Sequence, residues 1–182
     1  FQQSPPTHQS PRRKVLRELR MGDYEEILSM LVDSGVDFII AGGVACVLHG
    51  VEIVTLDVDI AVALDRGNFT KFLDSMKKLG LQPRVPIDPL TLLDENVISS
   101  IIYEKHALVF SFLDPDRPTR HVDIFLRSDL NHNALSNHVE LIEFQGKCLK
   151  VVSKEKLLSI KLGINPPRLK DLMDIEFLKQ NV

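Results

Sequence analysis

The chain is expected to adopt an α/β (α+β) fold, with a small mixed β-sheet packed by helices and closed by a C-terminal helical pair. Three observations predict it. Short apolar runs at Val36 to Ala41, Thr55 to Leu64, His106 to Leu113 and His121 to Leu126 are too short for helices. Helical periodicity fills the segments between and around them. Turn residues punctuate nearly every junction.

The first predicted helix spans Asp23 to Ser34: Tyr24, Ile27, Leu28 and Leu31 recur at helical spacing, Asp23 can cap with Glu26 three residues on, and Gly35 stops the run. Val36 to Ala41 then feeds the Gly42-Gly43 turn, and Val44 to His49 reads as a short helix closed by Gly50. Thr55 to Leu64 alternates, with Asp57, Asp59, Ala61 and Ala63 on one side and Leu56, Val58, Ile60, Val62 and Leu64 on the other. The side opposite the aspartates is the expected buried face. Arg66 to Leu79 is an amphipathic helix with Phe69, Phe72, Leu73 and Met76 on its stripe. PRVPIDP breaks regular structure after Gln82, and Leu90 to Tyr103 holds one or two helical turns around Asp94, Glu95 and Asn96.

Two further strands, His106 to Leu113 and HVDIFL at His121 to Leu126, flank a DPDRP turn that contains Asp114 and Asp116. Asp123 then faces away from Val122 and Ile124. A short helix after Asp129, running to Asn137, precedes a hairpin of Val139 to Phe144 and Cys148 to Val152 that turns at Gln145-Gly146. Ser153 caps a helix through Lys161, with Lys156 at its third position, and Pro166-Pro167 separate it from a last helix, Arg168 to Gln180.

The organisation expected from this is an N-terminal arm at 1–22, disordered or partly helical, and one domain over 23–182 with 153–182 as its closing segment. Residues 1–11 are rich in Pro, Ser and Gln, and Arg12 to Arg20 is basic and reads as a solvated face. An apolar share of 44% with 26% charged residues is ordinary globular composition. A net charge of −3 gives no argument for nucleic acid as the main partner. Cys46 and Cys148 have no C-x-x-C spacing and read as buried free thiols. No apolar run reaches the roughly 18 residues of a membrane span, so a cytoplasmic protein without a membrane partner is expected.

The functional expectation rests on three elements in order. Asp57 and Asp59 project from one strand face, roughly 6.6 Å apart at the backbone. Two like charges so placed call for a cation. Gly42-Gly43 lets the backbone approach a bulky anion where a helix begins. Asp123 adds a third strand-borne carboxylate. His49 and His121 lie near these residues without His or Cys company at zinc spacing. Thr55 is placed to orient the aspartate strand.

In the order AGGVACVLHG, TLDVDIAV and RHVDIFL, the chain resembles the DNA polymerase beta type nucleotidyltransferase superfamily. The closing VVSKEKLLSIKLGINPPRLKDLMDIEFL is similar to its small bacterial and archaeal branch, which includes the abortive-infection toxins. The resemblance spans roughly Val36 to Leu178. It implies a two-metal transfer of a nucleoside monophosphate from an NTP, ATP among them, to a hydroxyl on RNA, protein or a small molecule, with a cognate partner protein as a further expectation. It also implies catalytic and metal roles for Asp57, Asp59 and Asp123 toward Mg²⁺ or Mn²⁺, with Gly42, Gly43, Lys161, Arg168 and Lys170 as nucleotide and phosphate contacts. Three hard oxygen ligands with triphosphate and water suit such ions. The chain departs from the pattern where relatives often carry an arginine, having Glu52, Ile53 and Val54 before the aspartate strand, and Gly163 to Pro167 replaces a Gly-Arg. The alternatives are a degenerate nucleotide-binding or toxin–antitoxin interaction protein, and a metal-dependent phosphoesterase.

Overall fold

The computed structural model describes residues 24–182; the expected arm at 1–22 and the Asp23 cap lie outside the described residues. Helix α1 (24–33) leads into β1 (Phe38–Ile40), α2 (Gly42–Leu48), β2 (Asp57–Val62) and α3 (Arg66–Lys78). A short β3 (Gln82–Pro83) and a 3₁₀ turn (Pro89–Leu93) precede α4 (Glu95–Lys105), β4 (Val109–Leu113), β5 (His121–Phe125) and α5 (His132–Leu135). The hairpin β6 (Val139–Phe144) and β7 (Lys147–Val152) is followed by α6 (Lys154–Leu162) and α7 (Leu169–Asn181).

The strands form a seven-stranded mixed sheet in the order β3-β4-β5-β2-β1-β7-β6. At its centre β2 pairs antiparallel with β1 and parallel with β5, so the aspartate strand has a neighbour on both sides. On the face away from the aspartates, Val58, Ile60, Val122 and Ile124 are fully buried. The stripe of α3 packs there: Phe72 stacks on Phe69 at 5.7 Å and meets Phe112 of β4 edge-on at 5.4 Å. Each such ring contributes roughly 1.5–3 kcal/mol by leaving water. Asn68 fixes α3 to the ends of β1 and β2, accepting from the Asp37 N–H at 2.6 Å and donating to the Asp37 and Ala63 carbonyls at 2.9 and 2.8 Å.

Several elements differ from expectation for local reasons. Gln82–Pro83 pairs with β4 at the sheet edge, where proline's missing N–H costs no ladder bond. The segment around Asp94 makes an 11-residue helix because Asp88 and Asp94 cap two successive turns, accepting from the N–H groups of Leu90 and Asn96. His106, at φ 51, ends that helix in the left-handed region, so β4 begins only at Val109. The helix after Asp129 is a single turn. Cys46 is buried, but Cys148 is exposed, because Leu149 and Val151 take the inward positions of β7. The hairpin turn at Gln145-Gly146 and the Ser153 cap, which accepts from the Lys156 N–H at 3.3 Å, are as expected.

Candidate active site

Alternation fixes which way each aspartate points, and strand register fixes which ones meet. β2 and β5 run parallel with Asp59 opposite Asp123 and Asp57 opposite His121. Neighbouring strands lie about 4.8 Å apart, so these four side chains form one polar patch on the sheet face. Behind it lies a wall of buried Val and Ile, which holds the strands in place.

Helix α2 begins directly over Asp59. The Ala41 N–H donates to the Asp59 carbonyl at 2.9 Å, and the chain then turns through Gly42 at φ 60. A Cβ on Gly42 would stand 1.9 Å from Asp59 Oδ2, and one on Gly43 would stand 2.3 Å from Thr55 Oγ1. No side chain fits at either position. The Gly43 N–H donates to the Asp59 carboxylate, so part of the helix start is already engaged by this chain's own acid. Thr55, buried just ahead of β2, lies 3.4 Å from Asp57 Oδ1 and packs against Gly43.

The electrostatics of the patch are unbalanced. Burial, then the charges of Asp57 and Asp123, push Asp59 up to about 6. Asp57 goes the other way: burial opposes its ionisation, but its own N–H, Lys170 and His121 together bring it below the usual carboxylate range. Among the described residues, Asp123 Oδ1 and His121 Nδ1 are buried without a hydrogen-bond partner, and His121 Nε2 is 3.9 Å from Asp123 Oδ2, beyond hydrogen-bond reach. Among the described residues, no three His, Cys, Asp or Glu side chains close around one point as a ready metal cage. The patch therefore presents an open set of hard oxygens, with one orphaned buried acceptor. Such a set fits a hard divalent ion that takes its remaining ligands from phosphate and water.

Three cationic residues were expected near the phosphates, and the fold separates them into two kinds. Arg168 and Lys170, at the start of α7, stand near enough for their charges to act on Asp57 and Asp59. Lys161 does not reach solvent. Its side chain is 5% exposed, with Nζ 3.0 Å from Asp171 Oδ1 and 2.6 Å from Asp174 Oδ2. Asp171 and Asp174, which as helix-surface acids would be exposed, are fully buried.

No family model matches the sequence, and no curated protein matches it significantly. Solved structures do match. The lincosamide antibiotic adenylyltransferase LnuA with lincomycin bound superposes with a TM-score of 0.59 at 17% identity, over 88% of this chain and 96% of that one. The antibiotic-resistance factor ANT(2'')-Ia gives 0.59 at 12% identity, over 90% and 84%. The chain has a nucleotidyltransferase fold. An antigenic nucleotidyltransferase-like protein from Paracoccidioides brasiliensis gives 0.50 at 16% identity, over 87% and 77%. At these identities the likeness is one of fold, and the chemistry must be argued from this chain's own residues.

From sequence, Asp171 and Asp174 share a helix face and either position Arg168 or a lysine or pair on the helix surface; within the nucleotidyltransferase fold they do the first. The Asp171 carboxylate accepts from Arg168 Nε at 2.8 Å, Nη2 at 3.1 Å and the backbone N–H at 3.1 Å. The signal was present in the spacing: Asp171, Asp174, Ile175 and Leu178 form one helical stripe, and Lys161 lies one turn after the buried Leu157. No helix among the described residues is long and apolar enough to cross a membrane.

Proposed function

We propose that this chain transfers a nucleoside monophosphate from an NTP to a hydroxyl acceptor. The observation that carries the reading is the register of β2 and β5, which sets Asp59 beside Asp123, with Asp57 on the same face and Gly42 packed against the Asp59 carboxylate. Asp57, Asp59 and Asp123 would hold Mg²⁺ or Mn²⁺, which when bound supplies charge neutralisation at the reacting phosphate and the pyrophosphate. Gly42 and Gly43 leave the carboxylate face open for the triphosphate to approach. Arg168 and Lys170 offset its negative charge from the α7 side. The acceptor oxygen bonds to the α-phosphorus as the bond to the bridging oxygen breaks, and pyrophosphate leaves with that electron pair. The orphaned Asp123 Oδ1 is the acceptor for the hydroxyl proton.

RNA, protein and small molecules are all candidate acceptors. A small molecule is favoured by the lincosamide adenylyltransferase, 96% of whose length this fold covers. The order Lys161, Arg168-Leu169-Lys170-Asp171, Asp174 supports the abortive-infection branch, and with it a cognate partner protein.

The test is pyrophosphate release by the purified chain with each NTP and Mg²⁺ across the three acceptor classes. Asp57→Ala and Asp123→Ala should each lower turnover on the order of a thousand-fold, about 4 kcal/mol of barrier, with far-UV circular dichroism unchanged. Full activity in either variant overturns the mechanism. Nucleotide consumption without any acceptor would establish phosphoester hydrolysis instead.

A further inference from the structure

The buried ion network between α6 and α7 has no role in the transfer chemistry above, and its geometry points outward to a residue that does. Lys161, Asp171 and Asp174 are together almost fully removed from water, while the Arg168 side chain is 62% exposed and joined to them through Asp171. Buried charges of this kind add little net stability compared with apolar packing of the same shape. What they supply is fixed geometry. Asp171 accepts the Arg168 guanidinium through Nε and Nη2 in a fork, and Lys161 pins the same carboxylate through Oδ1, the oxygen that also accepts from Nη2. Asp174 in turn holds Lys161 and lies beside Cys46 of α2, the helix that starts over Asp59. The network therefore links the glycine-turn helix, α6 and α7.

We infer that Asp171, backed by Lys161 and Asp174, is a positioning residue that holds the Arg168 guanidinium toward the carboxylate face, so that it meets the polyphosphate of the NTP in one orientation. This rests on the nucleotide reading above. It reassigns Lys161 from a phosphate contact to a buried support, and it gives a source of phosphate grip in a chain that has Glu52, Ile53 and Val54 where an arginine was expected. A long exposed arginine loses much side-chain freedom on binding a phosphate, and a carboxylate that has already oriented the fork removes most of that cost.

The experiment is calorimetric titration of the full chain with each NTP and Mg²⁺, on wild type, Arg168→Lys, Arg168→Gln, Asp171→Asn and the double Arg168→Gln, Asp171→Asn. Arg168→Lys keeps the charge at an exposed position and loses the fork. Its Kd should rise about tenfold or more, as expected for a lost charge-assisted fork. Asp171→Asn should weaken binding similarly, and the double variant should bind no more weakly than Arg168→Gln, because both changes remove one interaction. Wild-type affinity in Arg168→Lys overturns the inference, as do additive losses in the double variant, which would mark Asp171 as structural only. If Asp171→Asn does not fold, Arg168→Lys decides alone. A wild-type chain that binds no NTP instead removes the proposed function itself, a result distinct from tight wild-type binding that the variants leave unchanged.

Discussion

Asp57, Asp59 and Asp123 share one sheet face with no lysine or arginine in direct contact among the described residues, whereas Asp171 and Asp174, more deeply buried, are matched by Lys161 and Arg168 at 2.6–3.1 Å. The consequences are opposite in sign. Burial and like charge raise Asp59, while the Arg168 fork, against the effect of burial and with help from Lys161, holds Asp171 far below the usual carboxylate range. In the first group the fold tolerates repulsion, and in the second it cancels it with one buried cation, Lys161, and one exposed cation, Arg168. A fold that closes one acidic group with cations in direct contact, although the Asp174 oxygens take no well-aligned hydrogen bond, and leaves another open marks the open one as the place where a ligand supplies the missing charge.

The largest effect on stability should come from unbalancing the closed group. Lys161→Met leaves Asp174 buried with no other cation paired to it among the described residues. Stability should fall by about 3–5 kcal/mol, the usual cost of stranding a buried charge, read from the midpoint of urea unfolding. Adding Asp174→Asn to the same chain should recover much of the loss. If the single variant is as stable as wild type, the two groups do not differ in the way described.

The open group should respond in the other direction. With Asp59 at about 6 when folded and an ordinary value of 3.8, folding takes up a proton between those values. The Asp59 contribution is therefore most favourable below about pH 4 and declines as pH rises through 6. Asp57 and Asp171, both lowered, contribute stability above about pH 4 and lose it under more acidic conditions. Asp59→Asn should thus stabilise the metal-free chain at pH 7.5 by up to about 3 kcal/mol, since two pKa units correspond to that energy, and should flatten the stability profile between pH 4 and 6. Thermal unfolding across that range checks it, and a destabilised Asp59→Asn would mean that the patch is not under repulsion.

How much of this contrast could be seen in the sequence depends on the range of the interactions involved. Alternation in Thr55 to Leu64 and in His121 to Leu126 gave the face of each aspartate, because a strand's period is local. The pairing of Asp59 with Asp123 is not local: parallel register between strands sixty-odd residues apart depends on the crossover packing. The Gly42-Gly43 junction was legible, but not that Gly42 is required by the Asp59 carboxylate itself. The buried Lys161 was hidden by its chemistry, since a lysine in a helix is usually read as a solvated residue. Its opposite charges lay in the buried stripe of the next helix, and only helix packing brings the two together.

The smallest effect should come from Arg127 and Asp129, and it separates geometry from burial. Arg127 Nε and Nη2 donate to the two Asp129 oxygens at 2.9 and 2.6 Å, a fork as well made as that between Arg168 and Asp171. Hydrogen bonding to Asp129 raises Arg127, as Asp171 does for Arg168. The surroundings differ: both partners are about half exposed, at 45% and 57%, and Lys156 acts on Asp129 only as a nearby charge, without the direct contact that Lys161 makes with Asp171. Water already solvates both groups before the pair forms, so Arg127→Gln should change unfolding stability by less than about 0.5 kcal/mol. A loss comparable to that of Lys161→Met would show that the fork, and not its removal from water, sets the energy of such pairs in this fold, and the contrast between the two acidic groups would then have to be recast in terms of hydrogen-bond geometry.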